Sequence, residues 1–292
     1  MIRAVLSSPG FKGFCTLGAI LIAFMHPSPL FAEEIGPPNL PILFDSRERL
    51  PKPDLSSLVR LRFLTSTDFP PFNFTDQAGK LAGFHIDLAR ELCSELDIAE
   101  KCQIQALPFG ELQQALASSQ GDAVLAGVAV TPELRKDFAF SRPYLMLPAR
   151  FARNTKLQIG GTTAAALAGR RVGVVKGTAH EAMLAAFFPA ITAAPFDSTD
   201  ALLAALKARS IDAAFADGLQ LSFWTSSAAA EKCCALFDGP YVSQQFLGEG
   251  MTVMLRQQDT ALTSAINHAL ADLSHSGQLQ ELYLRYFPYG LY

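Results

Sequence analysis

The sequence has few charged residues and no run of Lys and Arg. Of its 292 residues, 17% are charged, and 24 basic against 27 acidic side chains give a net charge of −3. Because proteins bind nucleic acid largely through Lys and Arg contacts with phosphates, we expect no nucleic-acid partner. Half of the residues are apolar, which is a globular balance, and the length suffices for one large domain or two lobes.

A long apolar run is missing from the N-terminus. Phe14 to Met25 forms an apolar stretch of about a dozen residues, whereas a membrane helix needs roughly 20. Arg3 and Lys12 precede this stretch and the small residue Ala32 follows it, a layout typical of a secretory signal. We therefore expect a cleaved signal peptide at residues 1–32 and a mature protein in the periplasm. The alternative is an uncleaved anchor.

The chain has five cysteines, and their spacing is not that of a zinc site. Cys15 lies in the predicted signal. Cys93 ends a predicted helix and Cys102 begins the next strand, a close connection in an oxidising compartment. Cys233 and Cys234 are neighbours, so a bond between them would be strained, and two buried thiols are the other interpretation.

From Leu61 onwards the pattern alternates between strand and helix. Residues 33–60 are rich in proline and predict an extended N-terminal arm, either laid on the first lobe or left loose. The alternation predicts parallel sheets built from successive strand–helix units. The predicted strands are Leu61–Thr65, Gln103–Leu107, Ala123–Val128, Arg171–Val175, Ile211–Ala216 and Met251–Leu255. The predicted helices are Ile86–Leu96, Phe109–Ser118, Ala179–Phe187, Asp200–Arg209, Ala261–Ser276 and Leu279–Tyr286.

The segment from Leu61 to Leu96 carries the most specific pattern. It reads as a strand, an aromatic-proline turn (PPF), a hairpin with glycine and an amphipathic helix (GKLAGFHIDLA). This order closely resembles the opening of family 3 extracellular solute-binding proteins, the periplasmic receptors of polar amino acid ABC importers. The resemblance extends from about Leu61 to Phe287.

The resemblance implies an α/β fold of the two-lobe periplasmic binding protein type (type II, Venus flytrap). Each lobe would be a mostly parallel sheet flanked by helices, and two hinge strands would join them. Lobe 1 would comprise residues 61–149 and 246–292, and lobe 2 residues 150–245. The resemblance also favours a Cys93–Cys102 disulfide, since some amino acid binders carry one at this corner.

The implied function is capture of a small polar solute, an amino acid or a related compound, by lobe closure. The receptor would then deliver this solute to an inner-membrane ABC permease. We expect a monomer with no cofactor, no metal and no enzymatic activity.

Two aromatic residues match the walls of the ligand slot in this family. Phe69 lies in DFPPF and matches one wall, and Phe109 lies in LPFGEL and matches the opposite wall. The alternative is that both are core residues among the 22 phenylalanines.

Asp217, in IDAAFADG, follows a predicted buried strand and matches the acid that pairs with the ligand's α-ammonium group. The carboxyl ends of such strands are where α/β sheets bind ligands. The alternative is a turn or cap aspartate before a glycine.

The helix start after Gly177 matches the loop that holds the ligand carboxylate. Thr178, Ala179 and His180 are its candidate ligand-binding residues, since free backbone N–H groups and the helix dipole favour an anion there. Thr178 could instead only cap its helix, and His180 could be an ordinary surface residue.

The carboxylate clamp of the first lobe departs from the family pattern. The family reads Ser-Ile-Thr-Pro-Glu-Arg, whereas this chain has Ala129 at the Ser position and Leu134 at the Arg position. Arg135 comes one residue later, about 100° around the helix. Either Arg135 reaches back to the ligand or the clamp is lost. Gly127, just before this motif, is also predicted to bind ligand.

Two other functions are compatible with the same fold. A periplasmic enzyme related to cyclohexadienyl or arogenate dehydratases would need acid and base groups in the cleft, and His180, Asp217 and Glu249 are the candidates. A sensory receptor not coupled to import could use the N-terminal arm for docking.

Overall fold

The structure is a computed structural model that describes residues 40–41, 43–45, 47–288 and 290–291. The predicted signal peptide, residues 1–32, lies outside this part of the chain. Within the described part, none of the helices combines the length and the apolar character that crossing a membrane requires.

Strands and helices alternate along most of the chain. The strands are β1 (Leu61–Thr65), β2 (Asp68–Phe69), β3 (Asn73–Thr75), β4 (Leu81–Ala82), β5 (Cys102–Ala106), β6 (Ala123–Val124), β7 (Phe138–Phe140), β8 (Ala149–Asn154), β9 (Arg171–Val175), β10 (Thr192–Phe196), β11 (Ala213–Asp217), β12 (Cys234–Tyr241) and β13 (Met254–Arg256). The helices are α1 (Phe84–Glu95), α2 (Leu112–Ala117), α3 (Leu134–Asp137), α4 (Ala179–Phe187), α5 (Thr199–Ala208), α6 (Gly218–Ser226), α7 (Gln244–Leu247), α8 (Thr260–His275) and α9 (Gln278–Tyr286).

Each predicted strand and helix overlaps one of these elements, but some boundaries differ. The predicted strand Ala123–Val128 pairs only as β6, and at Gly127 the chain adopts a φ of 70°, which ends the extended conformation. The predicted helix Phe109–Ser118 begins as a 3₁₀ turn, Phe109–Glu111, before α2.

Two five-stranded mixed sheets form the two-lobe α/β fold. The first sheet has the order β5-β1-β6-β13-β7, and the second has the order β10-β9-β11-β8-β12. In the first, β1 runs parallel to β5 and β6, whereas β13 is antiparallel to β6 and β7. In the second, β9 runs parallel to β10 and β11, whereas β8 is antiparallel to β11 and β12. We call the bodies around these sheets lobe 1 and lobe 2.

Each lobe has its own apolar core. In lobe 1, Leu61 and Phe63 of β1 are fully buried. In lobe 2, Phe151 and Phe215 are fully buried, and their ring centroids lie 4.6 Å apart. Burial of such side chains is worth about 1.5–3 kcal/mol each, so apolar packing stabilises both sheets.

The segments that lead from one sheet to the other pair with each other. Leu145 and Met251 form an antiparallel bridge, in which Met251 N donates to Leu145 O at 2.7 Å. Tyr144 N donates to Met251 O at 2.9 Å. Two paired crossing segments form the kind of narrow connection about which lobes can rotate.

The described part of the N-terminal arm packs on lobe 1. Phe44 is 2% exposed and belongs to the lobe 1 core. Leu50 O bonds to His268 Nδ1 at 2.7 Å, and Glu48 forms a two-bond ion pair with Arg142. The described residues of the arm are therefore laid on lobe 1, as one of the two interpretations of the sequence predicted, and are not loose.

Both cysteine pairs of the described chain are disulfides. Cys93 at the end of α1 is bonded to Cys102 at the start of β5, across a Cα–Cα distance of 6.3 Å. Cys233 is bonded to its neighbour Cys234, so the structure has the bonded form rather than two thiols.

Candidate functional site

A cavity of about 610 Å³ opens between the two lobes. Its walls come from the turn after β2, from the crossing segment at Leu147 and from the end of β11 with the start of α6. The lining residues are Phe69, Pro70, Pro71, Leu147, Asp217, Leu219, Gln220 and Phe223. Most of these side chains are apolar, and Asp217 is the charged one among them.

Phe69 and Gly127, both predicted to bind ligand, lie against each other on the lobe 1 side. A Cβ atom at Gly127 would lie 2.8 Å from Cε1 of Phe69, so glycine allows the ring to approach the backbone. Phe69 also stacks on Phe72, with ring centroids 4.8 Å apart. The ring is therefore held from two sides as a cavity wall.

A buried polar network lies behind this wall. Asn73 Nδ2 donates to Ser66 O at 3.0 Å and to Ser66 Oγ at 2.7 Å, so Asn73 Oδ1 accepts from His85 Nδ1 at 2.7 Å. His85 Nε2 then accepts from the Tyr144 hydroxyl at 2.8 Å. Burial lowers the pKa of His85 to about 3, so the imidazole is neutral. The network joins β3, α1 and the crossing segment.

Asp217 ends β11, caps α6 and lines the cavity. Its Oδ1 accepts a hydrogen bond from Gln220 N at 2.8 Å, as expected of a helix N-cap. Burial raises the pKa of the Asp217 carboxyl, and the Gln220 N–H bond and the nearby His180 oppose this shift. Both interpretations of Asp217, as cap and as cavity residue, describe its position.

His180 lies close to Asp217 but is not part of the cavity lining. Its ring meets the ring of Phe215 edge to face, with centroids 6.3 Å apart. Burial lowers the pKa of His180, and the Asp217 carboxylate opposes that shift. Desolvation therefore favours the neutral imidazole at neutral pH.

The start of α4 is capped by its own side chains. Thr178 Oγ1 donates to Val175 O at 2.7 Å and accepts from Glu181 N at 3.3 Å. Glu181 Oε2 accepts from Gly177 N at 2.7 Å, an arrangement similar to a capping box. Ala179 is exposed at the first turn. The Glu181 carboxylate thus accepts from the Gly177 amide, which directly precedes the three residues predicted to bind a ligand anion.

Arg135 points to another part of the chain. Its guanidinium forms two hydrogen bonds with the carboxylate of Glu249, one of them from Nε to Oε1 at 3.2 Å. It also lies over the Phe140 ring, 5.5 Å from the centroid. Leu134, at the position of the family arginine, packs against the apolar side chains of lobe 1. Neither residue lines the cavity.

Phe109 is 44% exposed in its 3₁₀ turn and does not line the cavity. The structure therefore brings together Phe69, Gly127 and Asp217, with His180 nearby, and leaves Phe109 and Arg135 apart. The α6 residues of the cavity were missed by sequence reasoning. The signal that could have found α6 is Asp217 with Gln220 three residues later, a capping pattern.

In the ranges that the structure describes, His, Cys, Asp and Glu side chains form no group of three or more that could hold a metal ion.

Known proteins resemble this chain in both sequence and fold. The sequence is 31% identical over 227 residues to the putative ABC transporter arginine-binding protein 2 of Escherichia coli, covering 78% of this chain and 90% of the relative. The fold is similar to the second substrate-binding domain of a putative amino acid ABC transporter from Streptococcus pneumoniae, with a TM-score of 0.66, 19% identity and coverage of 78% and 99% of the two chains. It is also similar to an ancestral cyclohexadienyl dehydratase, with a TM-score of 0.63, 20% identity and coverage of 80% and 95%.

The family model of bacterial extracellular solute-binding proteins, family 3, matches residues 61–289. The match begins at β1 and includes both sheets and the cavity between them. This chain belongs to the bacterial extracellular solute-binding proteins, family 3.

Proposed function

We propose that this protein is a periplasmic receptor that binds an amino acid or a related compound between its lobes and delivers it to an inner-membrane ABC permease. The observation that carries this proposal is the cavity between the lobes, with Phe69 on one side and Asp217 on the other. The E. coli relative, an arginine-binding protein by name, supports an amino-acid-like ligand and the ABC transporter partner.

Lobe closure would be the working step of this receptor. The cavity walls belong to both lobes and to the crossing segment at Leu147, so rotation about the paired segments changes the cavity. Closure around a solute excludes water, which strengthens the contact between Asp217 and a ligand cation. The closed form would be the one that the permease recognises.

We further propose that the protein acts as a monomer after removal of residues 1–32 and performs no chemical step. Of the three candidate catalytic groups, Glu249 is held by Arg135, and His180 does not line the cavity. The similarity to the dehydratase, at 20% identity, concerns the fold alone.

The proposal can be tested by thermal unfolding of protein purified from the periplasm and refolded to remove carried-over ligand. A panel would contain amino acids, amines, organic acids and the dehydratase substrates prephenate and arogenate. A ligand at 100 times its dissociation constant adds about 2.7 kcal/mol, which is a rise in melting temperature of roughly 5–10 °C. Turnover of prephenate or arogenate, or no shift with any compound, would contradict the receptor proposal.

Two matched variants connect the result to the cavity. Phe69→Ala removes a lining ring and should abolish the ligand-induced shift. Phe109→Ala removes an exposed ring outside the lining, and a retained shift would argue against its predicted role as the second wall.

A further inference from the structure

We propose that the cavity selects an organic cation without an α-carboxylate, an amine or guanidine on an apolar body, over the corresponding amino acid. This inference rests on the proposed receptor function and specifies its ligand class. It follows from the distribution of charge around the cavity. The Asp217 carboxylate is present for a ligand cation, whereas Arg135 and the Gly177 amide, two groups that could receive a ligand carboxylate, are bonded to protein carboxylates.

Asp217 is available to a cation. Among the ion pairs of the described residues, none involves Asp217, although its carboxylate lines the cavity. Gln220 N donates a hydrogen bond to Asp217 Oδ1, and this bond holds the carboxylate in position at the start of α6. A partly buried carboxylate without a counter-ion is an attractive site for a ligand ammonium or guanidinium group, since burial makes the pairing stronger.

Lobe 1 presents no guanidinium to the cavity. Leu134 packs into the apolar cluster of this lobe, and the neighbouring Arg135 is paired with Glu249 through two hydrogen bonds. For Arg135 to hold a ligand carboxylate it would have to give up the carboxylate it already has. Both side chains of this pair are 45% exposed, so Arg135 is held at the surface, outside the cavity lining.

The start of α4 in lobe 2 carries a negative side chain. Glu181 Oε2 accepts from Gly177 N, so its charge lies at the start of α4. A helix N-terminus carries about half a positive charge, which one carboxylate side chain offsets. A ligand carboxylate entering the cavity would meet Asp217 and would lose its water without gaining a cation from the lining.

The remaining lining fits an apolar ligand body. Phe69, Leu147 and Phe223 supply apolar surface, and the described lining residues include no Lys, Arg or His side chain. A ligand with one cationic group and an apolar remainder can pair with Asp217 and pack against the apolar lining. A zwitterion leaves its carboxylate unpaired.

The test compares pairs of compounds that differ only in the carboxylate, by isothermal titration calorimetry on the refolded full-length protein. The pairs are phenylalanine and phenethylamine, arginine and agmatine, lysine and cadaverine, and histidine and histamine. We expect the amine of at least one pair to bind at least tenfold more tightly than its amino acid. If every detectable pair shows a smaller preference, or favours the amino acid, the inference is wrong and the receptor function stands. If no compound binds, both proposals fail.

Asp217→Asn provides the matched variant. Asparagine is as good an N-cap as aspartate, so α6 keeps its cap while the negative charge is removed. We expect amine affinity to fall at least tenfold, with the melting temperature of the ligand-free protein unchanged within a few degrees. Unchanged amine affinity in a folded variant would overturn the inference.

Discussion

His85 and Asp217 are ionisable residues on opposite sides of one cavity, and their surroundings differ. Both nitrogens of the His85 imidazole have partners, Asn73 and Tyr144, and the ring lies behind Phe69 rather than in the lining. Asp217 lines the cavity and has no ion-pair partner among the described residues. A satisfied buried group positions other residues, whereas an unpaired one offers binding energy to a ligand. Substitutions should therefore separate stability at His85 from affinity at Asp217.

The largest expected effect is the loss of stability on acidification through His85. Its pKa is lowered to about 3 in the folded protein, so the unfolded chain binds the proton more tightly below about pH 6.5. Stability is present above pH 6.5 and is lost as pH falls towards 3, by about 5 kcal/mol in total. Urea unfolding between pH 7 and pH 4 measures how the free energy of unfolding changes with pH. His85→Phe should remove the contribution of His85 to this pH dependence. An equal slope in both proteins would contradict the burial of a neutral His85.

The second effect is the cost of breaking the His85 network at neutral pH. His85→Phe leaves Asn73 Oδ1 and the Tyr144 hydroxyl without their bonds, which should destabilise the protein by about 3 kcal/mol. Tyr144→Phe removes one bond and should cost about half as much. Ligand affinity should change less than it does in Asp217→Asn. If His85→Phe instead abolishes ligand binding in a stable protein, the assignment of stability to His85 and of affinity to Asp217 is wrong.

The third effect is the gain of a cation in lobe 1, which presents no guanidinium to the cavity. Leu134→Arg restores the arginine of the family pattern, whose side chain is longer than leucine. A charge-assisted pair of this arginine with the ligand carboxylate in the closed form should raise affinity for α-amino acids by about tenfold. Titration calorimetry measures the change for both members of each compound pair. Leu134→Gln is the control for losing the apolar contact, and it should leave amino acid affinity unchanged. An equal gain with the amine would show that the carboxylate is not the group contacted.

The smallest effect concerns the other capped helix start. Thr178→Ala removes the side chain that accepts from Glu181 N and should cost about 1 kcal/mol of stability, roughly 2–4 °C. Because Thr178 does not line the cavity, amine affinity should change less than threefold, within about 0.6 kcal/mol. Thr178→Ser, which keeps the cap, is the control. A tenfold loss of affinity in Thr178→Ala but not in Thr178→Ser would place Thr178 in the binding site.

Sequence reasoning located β1, the helix that follows the PPF turn and the strand that ends at Asp217. These segments have strong local patterns: a buried apolar strand, an amphipathic helix and an acid at the end of a strand. Local pattern also placed Thr178 at a helix start. It did not locate α6, because its apolar residues lie on more than one face and give no helical periodicity.

Local sequence pattern did not predict the partners of the ionisable residues. Arg135 meets Glu249 from 114 residues away, and His85 meets Tyr144 from 59 residues away. Which carboxylate a flexible arginine contacts depends on how distant segments pack. The exposed position of Phe109 depends on the same packing.

The sequence by itself determined the family, the two-lobe α/β fold and the strand end that carries Asp217, because these follow from short-range patterning and from the PPF and GFHIDLA motifs. The tertiary structure decided which charges remain unpaired at the cavity. Arg135 is paired with Glu249 and the Gly177 amide donates to Glu181, whereas Asp217 lines the cavity without an ion-pair partner among the described residues. The physical reason is that pairing and desolvation depend on three-dimensional distance, which sequence spacing does not specify.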